Sequence, residues 1–137
     1  MERLKNKRVA IDSMLLIYLL EADSSYRDRV GMLLEQAGQI VCSSFLLAEV
    51  CAGFYRAGEE EKVEMFRRFI EDNGIEVLPF DENQALIFAK IRGENRFSPS
   101  DCIHLAAAVS GNVDFFVTND KALKNFDGLV TVQLADL

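Results

Sequence analysis

Histidine is almost absent from this chain: His104 is the only one among 137 residues. A Ser-His-Asp triad or a histidine-rich metal site therefore has little to be built from. Cysteine is scarce as well. Cys42, Cys51 and Cys102 lie far apart, each inside an apolar run. They read as small buried hydrophobes in a reducing cytoplasm and form neither a disulfide set nor a zinc site. No stretch of about 18 uncharged apolar residues occurs, so no segment is expected to span a membrane. The basic start (Arg3, Lys5, Lys7 and Arg8 against Glu2) leads into an apolar stretch interrupted at Asp12, without a small-residue cleavage site. That argues against a secretory signal. No glycine-rich loop follows a strand-like segment, which disfavours a nucleotide-binding module. Positive charge is also in deficit. A formal net charge of −7 argues against indiscriminate binding to nucleic-acid backbone, although nucleic acid stays open as a substrate.

What the chain does have is acid in awkward places. Asp12 ends the strand-like Val9-Ala10-Ile11 and opens onto the apolar run Met14 to Leu20. Glu49 stands alone within Phe45 to Ala52, Asp101 begins Cys102 to Val109, and Asp120 follows Phe115-Phe116-Val117-Thr118-Asn119. Asp and Glu are almost never fully buried unless paired or metal-bound, because desolvating an isolated charge is prohibitive. Acids recurring at the edges of core segments point to one shared polar site with a hard cation as partner. The pattern leads to a metal-dependent hydrolase. Two divalent ions in a four-carboxylate site would take −7 to −3 and reverse the local field where a phosphate must approach.

Half of the residues are hydrophobic, enough for one domain, residues 1–137, with a full core. Val9 to Asp12 is expected to be a buried strand and Ser13 to Glu21 a helix, with a second helix over Ser25 to Gln36 ended by Gly38. Gln39 to Cys42 reads as a strand running into Ser43-Ser44, either of which can cap a helix reaching Arg56. Glu59 to Asp72 has helical spacing at Val63, Phe66 and Ile70, and Asn73-Gly74 supplies a left-handed stop. Ile75 to Leu78 is a third strand. Asp81 with Gln84 forms a capping-box pattern for a helix through Arg92, stopped by Gly93. Ser98-Pro99-Ser100-Asp101 places a capping serine, a first-turn proline and an acid at the third helical position of a helix to Ser110. Phe115 to Val117 and Val130 to Gln133 are the remaining strands, with a short helix around Lys121 to Asn125. Such alternation implies an α/β fold: a mostly parallel central sheet with helices on both faces. Ligands then gather beyond the carboxyl ends of the strands, near a topological switch point, where all four acids can converge.

These residues resemble the PIN-domain ribonucleases, and within them the VapC-like toxins of prokaryotic toxin–antitoxin pairs. The resemblance rests on Val9-Ala10-Ile11-Asp12-Ser13, on Ser43 to Val50 around Glu49, on Ser98-Pro99-Ser100-Asp101 with its Ala-rich helix, and on Val117-Thr118-Asn119-Asp120. It implies a single PIN-like domain acting as a Mg²⁺- or Mn²⁺-dependent endoribonuclease, with Asp12, Glu49, Asp101 and Asp120 as catalytic and metal-binding residues supported by Ser13 and Thr118. It also implies a cytoplasmic two-fold homodimer that hydrolyses RNA and has a groove for an antitoxin's amphipathic segment. The run Met14 to Leu20 fits this, having more apolar residues than one helix face can bury against its own sheet. One departure is Met14, where such proteins often carry an asparagine two residues after the first aspartate. A lost supporting polar group typically lowers metal affinity or activity by about 10–100-fold.

Carboxylates suit Mg²⁺ and Mn²⁺, and a bound ion acidifies a water and screens charge on a phosphoryl transition state. Asp12 and Asp101 are assigned the most direct coordination, with Glu49 and Asp120 supporting it or holding a second ion. Arg92, Arg96, Lys121 and Lys124 are candidates for RNA phosphates or plain surface charge. Duller readings stay open: Asp12 as a helix cap, Asp101 as a capping acid, Asp120 as a turn residue, Glu49 in a salt bridge to a buried arginine. His104, at i, i+3 from Asp101, reads as a satisfied, partly buried histidine. Met14 stands where a haloacid-dehalogenase-like enzyme has its second acid. An inactive PIN-like domain that only binds RNA or protein, and an RNA-processing nuclease of the same fold, are the alternatives.

Overall fold

The computed structural model describes residues 1–21 and 24–137. Its centre is a five-stranded sheet of β1 (Arg8–Ile11), β2 (Gln39–Ser43), β3 (Glu76–Leu78), β4 (Phe115–Thr118) and β5 (Thr131–Gln133). The order is β3-β2-β1-β4-β5 and every pairing is parallel. Val9 lies opposite Ile40 on one side and Phe115 on the other, so β1 is the middle strand. The helices are α1 (Ser13–Leu20), α2 (Arg27–Gln36), α3 (Ser44–Arg56), α4 (Glu61–Asp72), α5 (Glu82–Glu94) and α6 (Pro99–Ser110).

Alternation along the strands explains the two layers of core. Val9 and Ile11 of β1 pack with Ile40, Cys42, Val117 and Val132 against Leu15, Leu16, Val30, Leu33, Leu46 and Phe66 of α1 to α4. Ala10 and Phe116 point the other way, onto Ile91 of α5 and Cys102, Leu105, Ala106 and Ala108 of α6. A small Ala10 opposite the alanines of α6 lets that helix lie close to the sheet. Both faces are thus covered, as an all-parallel sheet requires.

Local signals placed most helix ends. Ser43 Oγ accepts from Leu46 N (3.2 Å), Asp81 Oδ1 from Gln84 N (2.9 Å) and Ser98 Oγ from Asp101 N (3.2 Å), each satisfying an otherwise orphaned first-turn amide. Gly74 follows α4 with φ +61°, where a side chain would be strained. The boundaries differ in several places. Asp12 is not part of β1: pairing stops at Ile11, and Asp12 stands in extended backbone before α1. Gly93 does not stop α5. The helix passes through it to Glu94, and the stop is Asn95, whose Nδ2 donates to Ile91 O at 3.0 Å. Helix α2 starts at Arg27, because Ser24 Oγ accepts from Tyr26 N and holds a turn before it. Helix α4 starts at Glu61. Strands β2 and β4 each run one residue further, to Ser43 and Thr118, while β3 and β5 each begin one residue later. The short helix expected around Lys121 to Asn125 is a 3-10 turn, and among the described residues two more such turns occur at Glu2–Leu4 and Leu134–Asp136.

Candidate active site

In this topology the chain leaves β1 towards β2 and β3 on one side and returns to β4 and β5 on the other. The crevice at a parallel sheet's switch point lies beyond the carboxyl ends of the strands where that reversal occurs, here β1 and β4. Asp12 is the first residue after β1, Thr118 the last of β4, and Asp120 two residues beyond it. Ser43 ends the neighbouring β2, Glu49 lies on the second turn of α3, and Asp101 lies in the first turn of α6.

Asp12 is the most buried of the four acids, with 6% of its surface exposed. Its Oδ2 accepts from the fully buried Thr118 hydroxyl at 2.5 Å. Its Oδ1 is buried and has no hydrogen-bond partner. The side chain makes no full capping bond to α1, although the Leu15 amide in the first turn favours its ionised form, so Asp12 keeps a weak helix-cap role. Burial pushes the Asp12 carboxyl above the ordinary carboxylate range and the charge of Asp101 adds to this, while the Thr118 bond and His104 act the other way. Thr118 has a second role, since its Oγ1 accepts from Asp120 N at 3.0 Å. One threonine therefore joins two acids.

Glu49 has a partner that its sequence neighbours do not reveal. Its Oε1 accepts from His104 Nε2 at 2.6 Å, and the other ring nitrogen, Nδ1, shares a hydrogen bond with Ser43 Oγ at 3.0 Å. The His104 hydrogen bond holds the Glu49 carboxyl below its ordinary range, against the opposing effect of partial burial. The buried arginine considered for Glu49 is thus replaced by the single histidine, which is buried and engaged at both nitrogens. Asp101 is half-buried. Burial raises its carboxyl, the charges of Asp120 and Glu49 raise it further, and the Ser98 hydrogen bond and His104 oppose them. Asp101 is thus raised by Asp120 and Glu49, and in turn raises Asp12. Asp120 keeps a turn-like role as well, with Oδ1 accepting from Ala122 N at 2.9 Å.

Among the described residues, no three His, Cys, Asp or Glu side chains stand in a ready-made ligand cluster. Four carboxylates repel one another, and two of them are held aside by Thr118 and His104. The donor set nevertheless fits a hard divalent cation: all are oxygen ligands, and Asp12 Oδ1 is a buried acceptor lacking a donor. Ser13 is buried at the start of α1 beside Glu49, whose ionised form its hydroxyl favours. Of the basic candidates, Lys121 directly follows Asp120, whereas Arg92 is exposed in the last turn of α5 and Arg96 in the connection to α6, and among the described residues neither forms an ion pair with the four acids. An opening of about 610 Å³ lies elsewhere, between α5 and the β4–β5 connection, and none of the four acids lines it.

A profile of the PIN domain matches residues 9–129. Comparison with curated protein sequences finds no match. Several solved structures share the fold. VapBC2 from Rickettsia felis, bound to a DNA fragment from the promoter, has a TM-score of 0.73 at 19% identity over 92% of this chain and 98% of that one. A toxin–antitoxin complex from Klebsiella pneumoniae has a TM-score of 0.71 at 22% identity, covering 90% and 96%. Mycobacterium tuberculosis VapC20, described as a sarcin-ricin loop cleaving toxin, has a TM-score of 0.68 at 12% identity, covering 88% and 97%. Identities this low speak for a common fold. The profile match, running from within β1 almost to β5 and taking in all four acids, goes further: the chain belongs to the PIN-domain family.

Proposed function

We infer that this protein is a divalent-metal-dependent endoribonuclease that hydrolyses RNA phosphodiester bonds as the cytoplasmic toxin of a toxin–antitoxin pair. The observation that carries the nuclease reading is the unpartnered buried oxygen of Asp12, set among three further carboxylates beyond β1 and β4. Asp12 and Asp101 would hold Mg²⁺ or Mn²⁺, with Glu49 and Asp120 completing the set. When bound, the ion would supply charge stabilisation at the phosphate and an acidified water. The protein's own groups prepare the site. Thr118 fixes one oxygen of Asp12, and the other is buried without a hydrogen-bond donor. His104 keeps Glu49 in place and ionised.

The toxin assignment draws on the toxin–antitoxin complexes that share the fold and on α1. Met14 and Leu20 of this helix and Met32 of α2 are exposed, although Leu15 and Leu16 are buried. That apolar surface suits a homodimer contact or the amphipathic segment of an antitoxin. Light scattering should give twice the chain mass at high micromolar concentration, and a monomer there would remove the dimer. Purified protein should cleave RNA in Mg²⁺ or Mn²⁺ and stop in EDTA. Cleavage undiminished by EDTA would rule out the metal-dependent reading.

A further inference from the structure

Beside Asp120 lies a second opening of about 420 Å³, lined by Tyr18, Tyr26, Asn119, Lys121, Lys124 and Gln133, with Asp136 at its edge. We propose that this cavity is a nucleotide subsite that holds one base and its phosphate of single-stranded RNA next to the cleavage centre. The proposal rests on the nuclease reading for the identity of the ligand, and on the cavity's own chemistry for the rest.

The size falls in the usual range for small-ligand pockets, about 300–1,000 Å³. One end is aromatic. Tyr18, near the end of α1, and Tyr26, just before α2, have ring centroids 5.0 Å apart at 38°. Both are only partly buried. The pair is preorganised from behind: the Arg29 guanidinium lies 5.9 Å from the Tyr26 ring centroid and donates to the carbonyls of Leu134 (3.3 Å) and Ala135 (2.5 Å). An exposed aromatic surface held in this way is what a nucleobase stacks on, whatever its identity.

The lining also carries cations. Lys121 and Lys124 are exposed on the 3-10 turn after Asp120, and neither makes an ion pair among the described residues. Among the described lining residues one acid, Asp136, stands with them, which leaves two cations against one anion in a chain of net charge −7. Two of the lining side chains are amides with capacity left over. Asn119 Oδ1 accepts from Ala135 N, which leaves its NH₂ group as a donor, and Gln133 Nε2 donates to Asp120 O, which leaves its Oε1 as an acceptor. A donor and an acceptor beside a stacking surface can meet the edge of a base. Asn119 and Lys121 flank Asp120 in the chain, so a nucleotide seated here would place its phosphate beside the acidic crevice.

The test uses a 5′-fluorescein hexaribonucleotide of mixed sequence, with binding followed by anisotropy in EDTA and low salt, and cleavage of the same RNA followed in Mn²⁺. Tyr18→Leu, which keeps apolar bulk and removes the ring, should weaken binding about 5- to 150-fold, the usual range for one base–aromatic stack. Tyr18→Phe, which keeps the ring, should bind as the wild type does and so reports on folding. Lys121→Gln with Lys124→Gln should reduce the slope of log affinity against log salt by about 0.7 for each phosphate that is no longer neutralised. Wild-type protein that does not bind, a Tyr18→Phe loss equal to that of Tyr18→Leu, or variants all within two-fold of wild type would each overturn the subsite. The two readings separate cleanly. Binding with this pattern but no Mn²⁺-dependent cleavage would leave the subsite standing and sink the nuclease. Cleavage with the same KM in wild type, Tyr18→Leu and the lysine variant would do the reverse.

Discussion

Asp12→Asn should lose RNA cleavage by about 10²–10⁴-fold while remaining folded. The size follows from the several kcal/mol of charge stabilisation that a bound ion contributes and from about 1.36 kcal/mol per tenfold in rate. Asp101→Asn should lose comparably. Folding can be followed separately through pH. Burial raises the Asp12 carboxyl above its ordinary 3.8 in the metal-free protein. A carboxyl raised on folding binds its proton more tightly in the native state, so it destabilises the fold at pH values above the raised position. That destabilisation is relieved as pH falls through the raised value and is gone below the unfolded one. Asparagine has no such titration. In EDTA, the stability of Asp12→Asn relative to wild type should therefore be greatest near neutral pH and should diminish as pH falls towards about 4. The amide NH₂ replaces an oxygen that has no partner, which adds a constant offset and leaves the pH slope untouched. A difference that is flat with pH would mean that Asp12 is not the strained group described here.

Metal should be the strongest stabiliser of the wild type. An ion bound only by the folded state adds about 2.7 kcal/mol at 100 times its dissociation constant. With an unfolding entropy of about 2.1 cal/mol/K per residue, that corresponds to a rise in Tm of roughly 9 °C for a chain of this length. In Glu49→Gln one donor is weakened, so the rise should be smaller. In Asp12→Asn, where the buried donor itself is neutral, it should nearly vanish. Glu49→Gln also removes one of the repelling charges around Asp101. It should nonetheless melt below wild type in EDTA at neutral pH, because the folded protein holds the Glu49 carboxyl below its ordinary range and so gains stability from its charge. Equal Mn²⁺ shifts in wild type and Glu49→Gln would take Glu49 out of the metal site and leave it as His104's structural partner.

The legible part of this molecule was the part encoded locally. Ser98 before Pro99, Asp81 before Gln84 and Gly74 after α4 act within a few residues of themselves, and the structure uses each as a helix end. The acids announced themselves because each breaks an apolar run. Gly93 misled because a glycine is tolerated inside a helix at modest destabilisation, and the stop two residues later depends on a side-chain bond from Asn95. Pairings between distant elements were out of reach. Glu49 and His104 are 55 residues apart and meet only because α3 and α6 flank the end of β2, so a buried arginine was as reasonable a partner. Thr118 was visible as a polar group near the site, but its joining of Asp12 and Asp120 depends on β1 and β4 being neighbours. Strand order itself leaves no trace in alternation, because parallel neighbours are connected through long crossovers. The tyrosine-lined cavity, assembled from four separate segments, was invisible for the same reason.

Asp12 and its three companions should form one divalent-cation site. Diffraction from crystals of the wild-type protein soaked in MnCl₂, collected for the anomalous signal of manganese, tests it directly. An anomalous peak is expected within coordination distance of Asp12 Oδ1 and of at least one oxygen of Asp101, Glu49 or Asp120, absent from crystals of Asp12→Asn. A wild-type crystal with no peak there, or with manganese bound only at other acids such as the Glu59-Glu60-Glu61 cluster, would contradict it.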